Sequence, residues 1–283
     1  MKETILQACD LRYHYEDGTC ALEDLNIQIK RGKKTAIIGG NGAGKSTLFL
    51  NFNGVLRPKE GHILYNGEIV QSDKKSINNL RKKVGLVFQE PDHQIFSSSI
   101  YQEIAFGPLN FGLSKEEVSS RVEKVMEEMQ ITHLKEKPTH FLSYGQKKQV
   151  AIASILVMEP EVIILDEPTA GLDPMHIKKL LLLLDALSEK GITLIIATHD
   201  VNFAYSWADC IHVMQEGQII RSGSPQEIFM EEQVLEASNM EMPYMVEFMK
   251  KYFRGSQLFK EDLPRTIDEL VQTVKGGLIS GRN

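Results

Sequence analysis

The stretch Gly39-Gly40-Asn41-Gly42-Ala43-Gly44-Lys45-Ser46-Thr47 sets Gly39, Gly44, Lys45 and Ser46 at the spacing of a phosphate-binding loop. These residue types suit an anion. Glycines let backbone N–H groups close around a phosphate, the following helix turns its positive end toward it, and Lys45 adds a point charge. Ser46 offers a hydroxyl to Mg2+. A second candidate is the apolar run 162–165, which ends in Asp166 and Glu167. In a nucleotide site Asp166 would stand near the Mg2+ shell and Glu167 where an attacking water sits, although acidic residues also end many ordinary strands. Ser143 stands where a helix N-cap belongs, as a simple cap or as part of a second anion-binding surface. His199, after the apolar run 193–197, and Gln89, after the run 84–88, carry no signal alone. Tyr15, thirty residues before Lys45, reads either as a core or edge aromatic or as a platform on which a base stacks.

The elements that must position these residues follow from patterning. The first 35 residues alternate apolar and polar positions, which predicts strands with turns at Asp17-Gly18 and Arg31-Gly32-Lys33. The short apolar runs 35–38, 162–165, 193–197 and 211–214 suit strands buried on both faces of a parallel sheet. A helix is predicted from about Lys45. Between Glu90 and Pro160 the pattern turns helical: Ser114-x-x-Glu117 predicts a capping box opening a helix to about Gln130, and a second helix covers 146–158. After Ser224 two weaker helical segments are expected, at 244–252 and 267–274, the latter capped by Thr266-x-x-Glu269 and ended by Gly276-Gly277. The expected fold is α/β: a parallel core sheet, an antiparallel N-terminal part, a helical insertion over about 90–158 and a helical extension over 225–283.

Composition narrows the class. With 42% hydrophobic and 25% charged residues, the 283-residue chain can bury a sizeable core. No window approaches the apolar length that a bilayer span needs, and the start MKETILQACD lacks a signal peptide's apolar core, so a cytosolic chain is expected. Three widely spaced cysteines argue against a disulfide framework, and the eight histidines form no pair at metal-ligand spacing. A net charge of −6 disfavours a nucleic-acid partner.

Taken in order, the motifs resemble those of an ATP-binding cassette (ABC) ATPase, over nearly the whole of residues 5–224. Leu142-Ser143-Tyr144-Gly145-Gln146 is similar to the family's signature motif, and Asp166-Glu167-Pro168-Thr169 to its second phosphate-site motif. Gly171-Leu172-Asp173-Pro174 resembles the loop that crosses the dimer interface, Thr198-His199-Asp200 the histidine switch, and Gln89 the glutamine loop. A narrower resemblance, to ATPase subunits of energy-coupling-factor importers and above all cobalt importers, lies in residues 88–96, 105–110 and the basic pair Lys147-Lys148. Two positions depart from the pattern: Gly40 stands where proline is frequent, and Tyr144 replaces the first glycine of the signature's glycine pair.

The resemblance implies specific roles. Tyr15 would stack on adenine, residues 39–47 would hold the phosphates of ATP, and Ser46, Gln89 and Asp166 would serve Mg2+. Glu167 would polarise the water and His199 would contact the γ-phosphate. Ser143, Gly145 and Gln146 would act on the nucleotide of a second ATPase subunit, identical or paralogous, with Asp173 at the interface. Separate membrane subunits, one for coupling and one for substrate binding, would dock near the glutamine loop and hold the chain at the cytoplasmic side of the cell membrane. The cargo would be a metal ion, cobalt first, or a vitamin. A soluble ABC ATPase without a transport role is the alternative, and a small-molecule kinase would leave the signature and interface loops unexplained.

Overall fold

The computed structural model describes residues 3–253 and 263–280, with side chains to residue 275 in the second stretch. In chain order the elements are β1 (Thr4–His14), β2 (Cys20–Lys30), β3 (Lys34–Ile38), α1 (Lys45–Phe52), β4 (Glu60–Tyr65), β5 (Glu68–Ile69), α2 (Lys74–Lys83) and β6 (Val84–Val87). The helices α3 (Ile100–Asn110), α4 (Lys115–Glu128) and α5 (Tyr144–Leu156) follow. The chain then alternates through β7 (Val162–Asp166), α6 (Pro174–Glu189), β8 (Thr193–Thr198), α7 (Val201–Trp207), β9 (Cys210–Gln215) and β10 (Gln218–Gly223). It ends in α8 (Pro225–Met230), α9 (Glu232–Ala237), α10 (Tyr244–Phe253) and α11 (Ile267–Ser280).

Two sheets organise the molecule. A four-stranded antiparallel sheet has the order β2-β1-β4-β5, and a six-stranded sheet the order β10-β9-β3-β8-β7-β6. In the second, β9, β3, β8, β7 and β6 run parallel and β10 closes the edge antiparallel to β9. Its inner strands β3, β7 and β8 are mostly apolar and buried because both of their faces are covered. Ile37, Ile164 and Ile195 face a core shared with β1, β2 and the α1 residues Leu48, Phe49 and Phe52. Their neighbours Ala36, Ile38, Ile163, Leu165 and Ile196 face the opposite core, built with α3 to α8. Helix α1 thus lies between the two sheets, held by buried Phe49 and Phe52, which fixes the loop that precedes it.

All four predicted buried runs are strands, and the predicted antiparallel N-terminal part is present. Several finer expectations need correction. The Ser114 hydroxyl accepts from the Glu117 N–H, but the Glu117 carboxylate pairs with Arg121 one turn on, so the capping box is half formed. That helix ends at Glu128, two residues before Gln130, which is left-handed at φ 57°. The second helix is Tyr144–Leu156 rather than 146–158, because Ser143 supplies the cap. Helix α11 does not stop at Gly276-Gly277 but runs to Ser280. Its start is as expected, with Thr266 accepting from the Glu269 N–H. After Ser224 the structure adds two helices, α8 and α9, to the expected pair, and Ser224-Pro225-x-Glu227 forms a complete capping box.

His212, on β9, is 5% exposed and sits 2.7 Å from the Ser222 hydroxyl of β10. Burial pushes its pKa down to about 4. The unfolded imidazole takes up a proton near pH 6.5, so stability is full above that pH and falls as pH drops toward 4. Denaturant unfolding should show the wild type losing about 2–3 kcal/mol more than His212→Gln between pH 7 and 4.5. Equal losses would place this stability elsewhere.

Candidate functional site

The carboxyl ends of β3 and β7 open on one edge of the parallel sheet, where α/β sheets bind ligands. The loop from Gly39 to Gly44 leaves β3 there and enters α1 at Lys45. Glycine is required at its two ends. At Gly44 (φ 102°) a β-carbon would lie 2.4 Å from the Ala21 carbonyl oxygen. At Gly39 it would lie 2.1 Å from that of Met214.

Lys45 is 8% exposed, and its ammonium donates to the carbonyls of Gly39 (2.7 Å) and Gly40 (3.0 Å). Burial lowers its pKa, while Glu167 and Asp166 pull it back up. A cleft of about 300 Å³ lies over it, lined by Tyr15, Asn41, Gly42, Ala43, Gly44, Lys45, Ser46, Thr47, Gln89, Asp166 and Glu167. The Ser46 hydroxyl donates to Asp166 Oδ2 at 2.6 Å, and Gln89 borders the same space. A hydroxyl, a carboxylate and an amide form an oxygen-rich set suited to a hard cation such as Mg2+. The cation would sit beside the glycine loop.

Glu167 is 7% exposed and takes φ 43°, a left-handed conformation that costs a glutamate roughly 1–3 kcal/mol. Its N–H donates to the Ala197 carbonyl (3.0 Å) at the end of β8, and its Oε1 meets His199 Nδ1 at 3.0 Å. The carboxylate and imidazole are therefore set by two adjacent strand ends rather than by local sequence. Asp200, next to His199, caps α7 through the Phe203 N–H. Tyr15 follows the last residue of β1, half exposed, and its hydroxyl shares a 2.9 Å hydrogen bond with the Thr47 hydroxyl of α1.

Ser143, Gly145, Gln146 and Asp173 do not line this cleft. They cluster elsewhere, on the amino end of α5 and the loop into α6. Ser143 and Gln146 form a reciprocal capping box, and Gly145 lies against the His176 ring, which is bonded to Asp173 at 2.7 Å. Lys148 is a residue that sequence reasoning noted only as half of a basic pair. It is 1% exposed, and its ammonium donates to the main-chain carbonyls of Gln89 (2.7 Å) and Phe88 (3.3 Å). Burial brings its pKa down to about 8, against the pull of Glu90, Asp166 and Glu167. A lysine beside a lysine gives no hint in sequence of which one is buried.

Two expected outcomes follow. Among the described residues Lys45 is the one cation that lines the cleft, so Lys45→Ala should abolish ATP hydrolysis and weaken ATP binding, read by phosphate release and nucleotide titration. Wild-type turnover would remove the assignment. If a base stacks on Tyr15, Tyr15→Ala should weaken nucleotide affinity more than Tyr15→Phe, because stacking would use the ring face, while the hydroxyl is bonded to Thr47. Equal titrations for Ala and Phe would reduce Tyr15 to a packing residue.

Comparison with known proteins shows the family. The ABC transporter family model matches residues 22–170. A Clostridium perfringens relative named energy-coupling factor transporter ATP-binding protein EcfA3 is 46% identical, covering 97% of this chain and 96% of its own. Among solved structures, cbiO1 of Clostridium perfringens, described as part of the ABC transporter complex cbiONQ, is 49% identical with a TM-score of 0.74. The match covers 88% of this chain and 100% of that one. A dimeric ATP-binding cassette in a post-hydrolysis state, bound to ADP and Pi, is 26% identical with a TM-score of 0.71, covering 78% of this chain and 99% of that one. By the family model and by these relatives, the chain belongs to the ABC transporter ATP-binding family, in its energy-coupling factor branch, and is an ATPase.

Proposed function

We propose that this ATPase energises an energy-coupling factor importer whose cargo is a metal ion, cobalt by the sequence resemblance, or a vitamin. One observation carries the reading. The hydrolytic groups Lys45, Ser46, Asp166, Glu167 and His199 converge in or beside one cleft, while Ser143 and Gly145 are displayed outside it on a capped helix end. A helix end offering free N–H groups suits the γ-phosphate of ATP held by another chain. The relative bound to ADP and Pi is a dimer, which supports two sites shared between two copies or between this chain and a paralogue.

In this reading residues 39–47 wrap the phosphates of ATP, Lys45 turns from its loop carbonyls to the phosphate charge, and Tyr15 stacks on adenine. Ser46, Gln89 and Asp166 hold Mg2+, which neutralises charge on the phosphates when bound. Glu167 accepts the proton of the attacking water, and His199 steadies that carboxylate and meets the γ-phosphate. Ser143, Gly145 and Gln146 complete the partner's site, and Asp173 lies at the contact. Residues 1–224 form the ATPase unit, with the helical part 90–158 reaching toward the membrane and residues 225–283 as a helical extension.

Among the described residues no helix is long and apolar enough to cross a membrane. In this reading separate membrane subunits serve coupling and substrate binding. Phe96 and Phe106 support a docking face near the Gln89 loop. They are 66% and 46% exposed and pack edge to face at 4.7 Å. The chain would then sit on the cytoplasmic side of the cell membrane as a peripheral protein, with no nucleic-acid partner.

The test is dimer formation. Glu167→Gln removes the general base, at a cost of roughly 10²–10⁴ in rate, and leaves ATP binding intact. With Mg-ATP that variant should elute as a dimer in size-exclusion chromatography, alone or within the assembled complex. Adding Ser143→Arg should block closure by placing bulk and charge where the opposite phosphate docks. A double variant that dimerises as readily as the single one would mean that the signature motif does not act across the interface.

A further inference from the structure

The signature position occupied by Tyr144, where the family pattern has glycine, is built into three segments at once. Its hydroxyl donates to the main-chain carbonyl of Gln89 at 3.2 Å. Its ring lies on Gly171, where an added β-carbon would stand 2.9 Å from the ring edge and where φ is +72°. Its own backbone begins α5, directly after Ser143. Two further side chains of α5 reinforce the first of these ties. The Lys148 ammonium reaches the Gln89 and Phe88 carbonyls, and Lys147 pairs with Asp92 at 2.5 Å. On the other side, Gly145 rests against the His176 ring that holds Asp173. Partial burial, with Glu90 and Asp92 nearby, raises the Tyr144 pKa.

We propose that Tyr144 is a positioning residue for hydrolysis: it clamps the loop that carries Gln89 and the loop that carries Gly171 to the helix that begins at Ser143. The segment that serves this chain's own nucleotide and the segments offered to the partner then move as one body. Glycine in this place could make neither tie. The mechanical consequence rests on the two-copy reading above, whereas the clamp itself does not.

The experiment uses the full chain with two substitutions. Tyr144→Phe keeps the ring on Gly171 and deletes only the hydroxyl; Tyr144→Gly deletes both. Steady-state ATPase assays give kcat and KM. Amide hydrogen exchange without nucleotide reads the segments 86–92 and 169–173 directly. Losing one neutral hydrogen bond should lower kcat about 2–10-fold in Tyr144→Phe, with KM for ATP within about twofold, because Tyr15 and the glycine loop are untouched. Exchange should quicken in 86–92 alone for Tyr144→Phe, and in both segments for Tyr144→Gly. Unchanged exchange at 86–92 in both variants overturns the clamp, as does a rise in KM with kcat unaltered, or exchange that quickens throughout the chain in Tyr144→Phe. Exchange is read without ATP or a second copy. A failed dimerisation of Glu167→Gln would therefore sink the two-copy reading and leave the clamp standing.

Discussion

A lysine ammonium sealed under a loop of glycines sets the terms for the rest of this molecule. Lys45 is nearly out of water, and in that setting a cation must find oxygen atoms or lose its proton. The carbonyls of Gly39 and Gly40 meet it directly, which requires a backbone folded tightly enough that β-carbons at Gly39 and Gly44 would collide with neighbouring main chain. Asp166 and Glu167 hold its charge from further off. Their presence depends on parallel strands: β3 and β7 flank β8, so all three deliver their carboxyl ends to the same edge.

That edge is rigid because the sheet beneath it is buried twice. Alternate residues of β3, β7 and β8 go to opposite cores, and α1 is wedged between the two sheets by Phe49 and Phe52. Rigidity there lets Glu167 be held in a left-handed conformation it would not choose alone, braced by the Ala197 carbonyl and by His199. A strained carboxylate beside an imidazole is a common arrangement at reactive centres, where the surrounding fold carries the cost.

The helical side has a different logic. Helix α5 starts at a reciprocal cap between Ser143 and Gln146 and immediately sends Tyr144, Lys147 and Lys148 back to the strand-end loop that bears Gln89. The buried ammonium of Lys148 repeats, on main-chain carbonyls, the solution found at Lys45. One face of α5 is thus committed to its own chain, while Ser143 remains exposed to solvent.

The sequence alone determined the buried strands, since mostly apolar runs of four or five residues suit a sheet covered on both faces. It also determined the glycine loop with Lys45 and Ser46, the paired carboxylates after β7 and the cap at Ser143, because spacing and residue type carry those signals locally. Helix ends were less legible: Gly276-Gly277 should stop a helix by propensity, yet α11 continues through them, and Glu117 preferred Arg121 to its own cap. Only the tertiary structure decided that Ser46 meets Asp166 from 120 residues away, that His199 meets Glu167, that Lys148 rather than Lys147 is buried, and that Tyr144 reaches Gln89 and Gly171. Those contacts join strand ends and loops distant in sequence. They are set by parallel register and by helix packing against the sheet, which no local window of residues encodes.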